Sequence, residues 1–142
     1  MQKMVEEEWR RFAADGPKTG KLSTIGFEGK PHCVPVWWIF EGDNLVFMTM
    51  EASQKARNIE RDARVSLTVD SEEFPYDFVT IEGTAQIKHV PLDDLFEISQ
   101  AIAFRYVPAG RVDEFAARNA VEGEVVVIIT PQKVISAKGV AG

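Results

Sequence analysis

A chain of 142 residues suits one domain with a buried core. Its net charge of −6 and pI of about 5.0 exclude a general electrostatic attraction to nucleic acid. Its single cysteine, Cys33, excludes an intrachain disulfide and a cysteine-rich metal site, and the apolar run around it predicts a small buried side chain.

No stretch approaches the roughly 18 apolar residues of a membrane span, and MQKMVEEEWRRF is too charged for a signal peptide. The expectation is a cytoplasmic protein without a membrane partner. Val5 to Phe12 reads as a short amphipathic helix with Val5, Trp9 and Phe12 on one side, ended by Gly16-Pro17. Thr19 to Phe27 reads as a first strand, closed by a hairpin turn at Glu28-Gly29-Lys30-Pro31. His32 to Phe40 is a second strand, and Glu41-Gly42-Asp43-Asn44 turns it into a third from Leu45 to Thr49 or Met50. A helix starts at Ser53, whose hydroxyl suits an N-cap; Ala52, Ala56, Ile59 and Ala63 follow at helical spacing and are expected to face the core. Arg64 to Val69 is a fourth strand, Asp70 to Tyr76 an open loop, and Asp77 to His89 a long fifth strand. Helices are expected over Leu92 to Tyr106 and Arg111 to Arg118, and a last strand over Glu124 to Ser136, interrupted at Pro131. No repeat or low-complexity segment breaks this order, so residues 1–142 read as a single domain.

The strands differ in what they expect on their two faces. Val65, Leu67 and Val69 alternate with Arg64, Ser66 and Thr68, which leaves one face wet. The second strand is apolar on both faces, and so is the last from Val125 to Ile129. Such strands must be covered on both sides, yet the helices are few and the early connections are tight. This points to a mostly antiparallel small barrel whose outer face meets a second copy, a flat apolar ligand, or both. Pro35 fits a sheet edge or a break in the ladder.

The Ser53 helix carries a charge anomaly. Lys55 and Arg57, with polar Asn58, cluster near its start, where the backbone is already partly positive and acids are favoured. An anion beside them resolves the conflict, because free N–H groups and basic side chains together form a phosphate site. The alternative is a solvated face whose cations pair with Glu51, Glu60 or Asp62. An apolar planar group bearing a phosphate would satisfy both the anion site and the nearby tryptophans. A flavin-type nucleotide fits that description; a phosphorylated metabolite, or a purely structural dimer, is the alternative.

The segment KPHCVPVWWIFEGDNLVFMTMEASQKARNIERDARVSLTVD, followed by FVTIEGTAQI, resembles the pyridoxamine 5′-phosphate oxidase-like, flavin-binding split-barrel family. It is most similar to the branch that includes deazaflavin F420-dependent reductases. The most specific part is the ordered pattern carrying Thr49, Lys55, Asn58 and Arg64. The resemblance implies a mainly β (α+β) fold: a six- to seven-stranded antiparallel split barrel with peripheral helices, forming a homodimer with cofactor sites at the interface. It implies that Thr49, with the strand end that includes Met50, approaches the ribityl chain and phosphate, and that Ser53 and Lys55 bind the phosphate with Arg57 and Asn58. It places the backbone of Pro35, Val36 and Trp37 along the pyrimidine edge of the ring. Phe78, or the loop around Tyr76, is expected to complete the site from the second subunit.

Three departures bear on the reaction. Val34 or Cys33 stands where the oxidases proper have a basic residue, Gln54 replaces one member of a basic pair, and the ending VISAKGVAG lacks their Arg-x-His pattern. Pyridoxamine phosphate oxidation is therefore not expected. The implied activity is hydride transfer from reduced F420 to a small electron-poor acceptor, with protons from solvent; FMN is the alternative cofactor, and a non-catalytic flavin carrier the alternative role. No catalytic side chain is evident. His32 and His89 are isolated and not at metal-ligand spacing, and Glu72, Glu73, Asp93 and Asp94 read as solvation and capping. Trp37 or Trp38, Phe74, Tyr76 and Tyr106 are candidates for pocket walls, with core packing preferred for Trp38.

Overall fold

The computed structural model describes residues 2–142. Helix α1 (Glu6–Ala14) leads to strands β1 (Gly20–Ile25), β2 (Pro31–Val36), β3 (Ile39–Glu41) and β4 (Asn44–Met50). Then come helix α2 (Gln54–Arg61), strands β5 (Arg64–Asp70) and β6 (Phe78–Lys88), helices α3 (Leu92–Tyr106) and α4 (Val112–Asn119), and strand β7 (Glu124–Ala137). The seven strands form one antiparallel sheet in the order β2-β1-β5-β6-β7-β4-β3. This is the expected mainly β split barrel, with helices at its periphery.

The expected second strand is in fact two. β2 pairs with β1 and β3 pairs with β4, so consecutive strands lie at opposite margins of the sheet. The chain crosses between them through Trp37 and Trp38. Their backbone is held by α3 instead of a ladder. Trp38 N–H donates to the Tyr106 hydroxyl at 3.2 Å, and the Arg105 guanidinium donates to Trp38 O at 2.7 Å. Arg105 also reaches Ala13 O at 2.7 Å and Gly16 O at 3.0 Å, which ties α1 to the same point. Polar backbone removed from water must find such partners.

The Trp38 side chain is fully buried and packs edge-on against Phe40, with centroids 4.8 Å apart. Leu22, Phe47, Leu67, Ile81 and Ile129 fill the barrel interior around it. The outer face of β4 and β7 carries Val46 and Val126, which α3 covers with Leu95 and Ile98. On this part of the outer face the cover comes from a peripheral helix of the same chain, while Pro31, Cys33 and Pro35 on the outer face of β2 stay exposed.

Other expectations need correction. Cys33 is exposed: β2 is a margin strand that turns His32, Val34 and Val36 inward and Pro31, Cys33 and Pro35 outward. Pro35 pairs in register with Lys21, so its place is a sheet edge and not a broken ladder. Ala52 and Ala63 are exposed because both lie outside the eight-residue α2, whereas Ala56 and Ile59 are buried. The last strand passes Pro131 without ending. A bulge opposite Gly83 absorbs the irregularity, and a Cβ there would lie 2.2 Å from Thr130 O, so only glycine fits. Among the described residues, no helix is long and apolar enough to cross a membrane.

Candidate functional site

The start of α2 is built from both sides of β4. Thr49 faces inward, is buried, and donates its hydroxyl to Ser53 Oγ at 2.9 Å. Ser53 Oγ in turn accepts the Ala56 N–H, as the N-cap expectation required. Asn58 is fully buried: it donates to Thr24 Oγ1 at 3.0 Å and accepts from Gln54 at 2.7 Å and Arg61 at 3.0 Å. These groups anchor the helix to β1 and β4. They leave the N–H groups of Gln54 and Lys55 without an acceptor among the described residues.

A pocket of about 270 Å³ opens on the outer face of the sheet beside this helix. Pro35, Val36 and Trp37 form one wall, and Lys55 reaches it from α2. Met48, Glu124, Ser99, Ile102 and Asn119 close the other sides, from β4, β7, α3 and α4. The Trp37 indole stacks on Tyr106, with centroids 5.3 Å apart and planes within 4°. The Ser99 hydroxyl is committed to Ala116 O at 2.9 Å.

The electrostatics favour one side of the alternative left by the sequence. Neither Lys55 nor Arg57 forms an ion pair among the described residues. Two of the three proposed partners are occupied: Glu51 binds His89, and Asp62 binds Arg64 at 2.7 Å. The latter pair holds the Asp62 carboxyl at about 2. Glu124 lines the same pocket as Lys55. One of its oxygens is buried without a hydrogen-bond partner; burial pushes its proton affinity up, and Lys55 pulls it part of the way back.

The structure therefore brings together Pro35, Val36, Trp37 and Lys55 in one pocket, with Thr49 and Ser53 directly behind it. Met50 is exposed at the strand end next to Glu124. Arg57 is exposed and outside the pocket, and Asn58 points into the protein. Phe78 is ten residues along β6 from Lys88, roughly 33 Å from the pocket end of that strand. Phe74 and Tyr76 flank the same distant end, packed on each other at 6.0 Å. Within one protomer none of these three meets the pocket. Sequence reasoning missed Met48, Ser99, Asn119 and Glu124, which sheet pairing and helix packing bring in from distant segments. Among the described residues, no group of three or more His, Cys, Asp or Glu is placed to hold a metal ion.

A seven-stranded antiparallel split barrel with peripheral helices is the fold of pyridoxamine 5′-phosphate oxidase-like proteins. The chain belongs to the pyridoxamine 5′-phosphate oxidase family, which it matches over residues 5–137. Among solved structures, a conserved hypothetical protein from Mycobacterium tuberculosis is 26% identical, with a TM-score of 0.80 over 96% of this chain and 86% of that one. A protein described as an F420 reductase is 22% identical, with a TM-score of 0.70 over 88% of this chain and 94% of its own. The heme storage protein HutZ from Vibrio cholerae is 16% identical, with a TM-score of 0.72 over 97% of this chain and 99% of its own. At such identities the last two likenesses establish the fold alone.

Proposed function

We propose that residues 1–142 act as one cofactor-binding domain of a homodimeric F420-dependent oxidoreductase. The observation that carries this reading is Lys55, a cation without an ion-pair partner among the described residues, in a pocket beside N–H groups of α2 that those residues leave unpaired. A phosphate fits that combination, since it accepts from the backbone and neutralises the lysine. Gln54 and Lys55 would hold it through their N–H groups and the Lys55 ammonium. Trp37, braced by Tyr106, offers a flat apolar wall for a ring. The outer edge of β2 adds a row of backbone groups that no strand of this chain pairs.

A pocket of about 270 Å³ is smaller than the range of roughly 300 Å³ and above typical for whole organic ligands. One protomer would then enclose only part of a flavin nucleotide, which supports a site finished by a second copy. That copy could bring Phe78 or Tyr76 to a place their own protomer denies them. When bound, reduced F420 supplies a hydride to an electron-poor acceptor. The chain's part is to grip the phosphate, hold the ring against Trp37, and keep the acceptor out of bulk water.

The test is a fluorescence titration of the purified protein with F420 and with FMN, alongside sedimentation. Micromolar F420 binding by a dimer, weakened about tenfold or more in Lys55→Ala, is the expected result; binding of neither cofactor removes the proposal. FMN remains the second reading, because the same lysine and N–H groups serve its phosphate. Turnover with reduced F420 and an acceptor separates an enzyme from a carrier.

A further inference from the structure

We propose that Glu124 determines which phosphates the Lys55 site accepts, favouring a singly charged phosphodiester over a doubly charged phosphate monoester. The inference rests on the reading of Lys55 as the phosphate grip. Glu124 opens β7 on the sheet's outer face, in register with Met50 of β4. Gly123 O accepts the Glu51 N–H at 2.8 Å, which fixes this strand start against the turn that leads into α2. Glu124 and Lys55 are the two ionisable side chains in the pocket lining; α3, α4, β4 and the Trp37 wall contribute none. Glu51, on the adjoining turn, is engaged by His89. Lys55 therefore shares its pocket with one carboxylate, one of whose oxygens is buried and has no partner.

That arrangement treats two phosphates unequally. The carboxylate repels a monoanion once and a dianion twice, while Lys55 attracts each in the same proportion. The carboxylate offsets part of what the lysine gives a dianion, which also keeps its larger desolvation cost. A single charge–charge interaction in partly buried surroundings corresponds to roughly tenfold in affinity. A dianion escapes the repulsion if Glu124 takes up a proton as it binds, and burial already biases the carboxyl that way. FMN carries a phosphate monoester, whereas the phosphate of F420 is a diester. One residue would thus bias the site toward the deazaflavin.

The deciding experiment uses two matched pairs: FMN and its phosphate methyl ester, and the deazaflavin 5′-phosphate and its methyl ester. Isothermal titration calorimetry at pH 8, in buffers of different ionisation enthalpy, gives affinity and proton uptake together. Wild-type protein is expected to bind the ester roughly tenfold more tightly than the monoester, with proton uptake for the monoester alone. In Glu124→Gln the preference should shrink toward unity and the uptake should disappear. Equal affinities in the wild type, or a preference unchanged by Glu124→Gln, overturn the role of Glu124 and leave the Lys55 grip standing. If neither pair binds wild type or variant, the grip fails and this inference fails with it. Should the variant not fold, the wild-type titrations decide: an ester that binds no tighter than its monoester, with no proton uptake for the monoester, is the overturning result.

Discussion

The Trp37 indole lies flat on the Tyr106 ring, and the hydroxyl of that same tyrosine holds the backbone of the next tryptophan. Tyr106 donates to Lys18 O at 2.7 Å and accepts from Trp38 N at 3.2 Å. One side chain of α3 thus sets both the pocket wall and the crossing between β2 and β3. Burial raises its phenol proton affinity, which keeps it a donor at neutral pH. Tyr106→Phe keeps the stack and strands two backbone groups. Urea unfolding should show a loss of about 1–3 kcal/mol, and Tyr106→Ala a larger one as the stack is lost too.

Arg105 donates to four carbonyls, those of Trp38, Ala13, Gly16 and, at 3.5 Å, Lys18, and its cation lies over the Trp38 ring at 4.5 Å. Bonds from a charged donor to buried acceptors are stronger than neutral ones. Arg105→Met should cost about 3 kcal/mol or more in urea unfolding, since it leaves several acceptors unpaired. Arg105→Lys should recover less than half, because an ammonium cannot span the same fork. Full recovery by lysine would show that charge, and not the planar geometry, fastens α1 to α3.

Lys55 and Arg57 are two positions apart on α2 and differ in placement: the first lines the pocket, the second is exposed outside it. Lys55→Ala should weaken F420 binding by about tenfold or more, with an unchanged melting temperature. Arg57→Ala should weaken it by less than about threefold, as for a screened surface charge. Equal losses in fluorescence titrations would place the anion on the exposed flank of the helix.

Glu124 also gives the folded protein a pH dependence. Its folded-state proton affinity is raised above the ordinary carboxyl value of 4.5, so folding favours its protonated form. The stability this contributes is present at low pH and is lost as pH rises through the folded-state value. Glu124→Gln removes the ionisation. Scanning calorimetry should find the variant more heat-stable than wild type at pH 8 and indistinguishable from it at pH 4.

What the sequence disclosed and what it concealed divide along range of interaction. α3 runs from Leu92 to Tyr106, the span its pattern predicts, and the alternation of Val65, Leu67 and Val69 marks the buried face of β5. The Ser53 cap was equally legible, because its hydroxyl bonds three residues away. The break at Trp37 and Trp38 was hidden, since the groups that hold it, Arg105 and Tyr106, lie on the far side of five intervening elements. Asn58 reads as part of the anion-binding cluster with Lys55 and Arg57, yet Thr24 on β1 draws it fully inside. Glu124 carries no local mark at all. It becomes a neighbour of Lys55 only through the pairing of β7 with β4, which no short pattern encodes.

The step from Trp37 to Trp38 works as a clasp across the slit of the barrel. Strands adjacent in the chain sit on its two lips, so an occupant pressing on Trp37 pulls on both lips at once. Occupancy of the pocket should slow amide hydrogen exchange together at Gly20, which faces Val36, and at Val46, which faces Ile39. Two stretches that share no ladder would then tighten as one body.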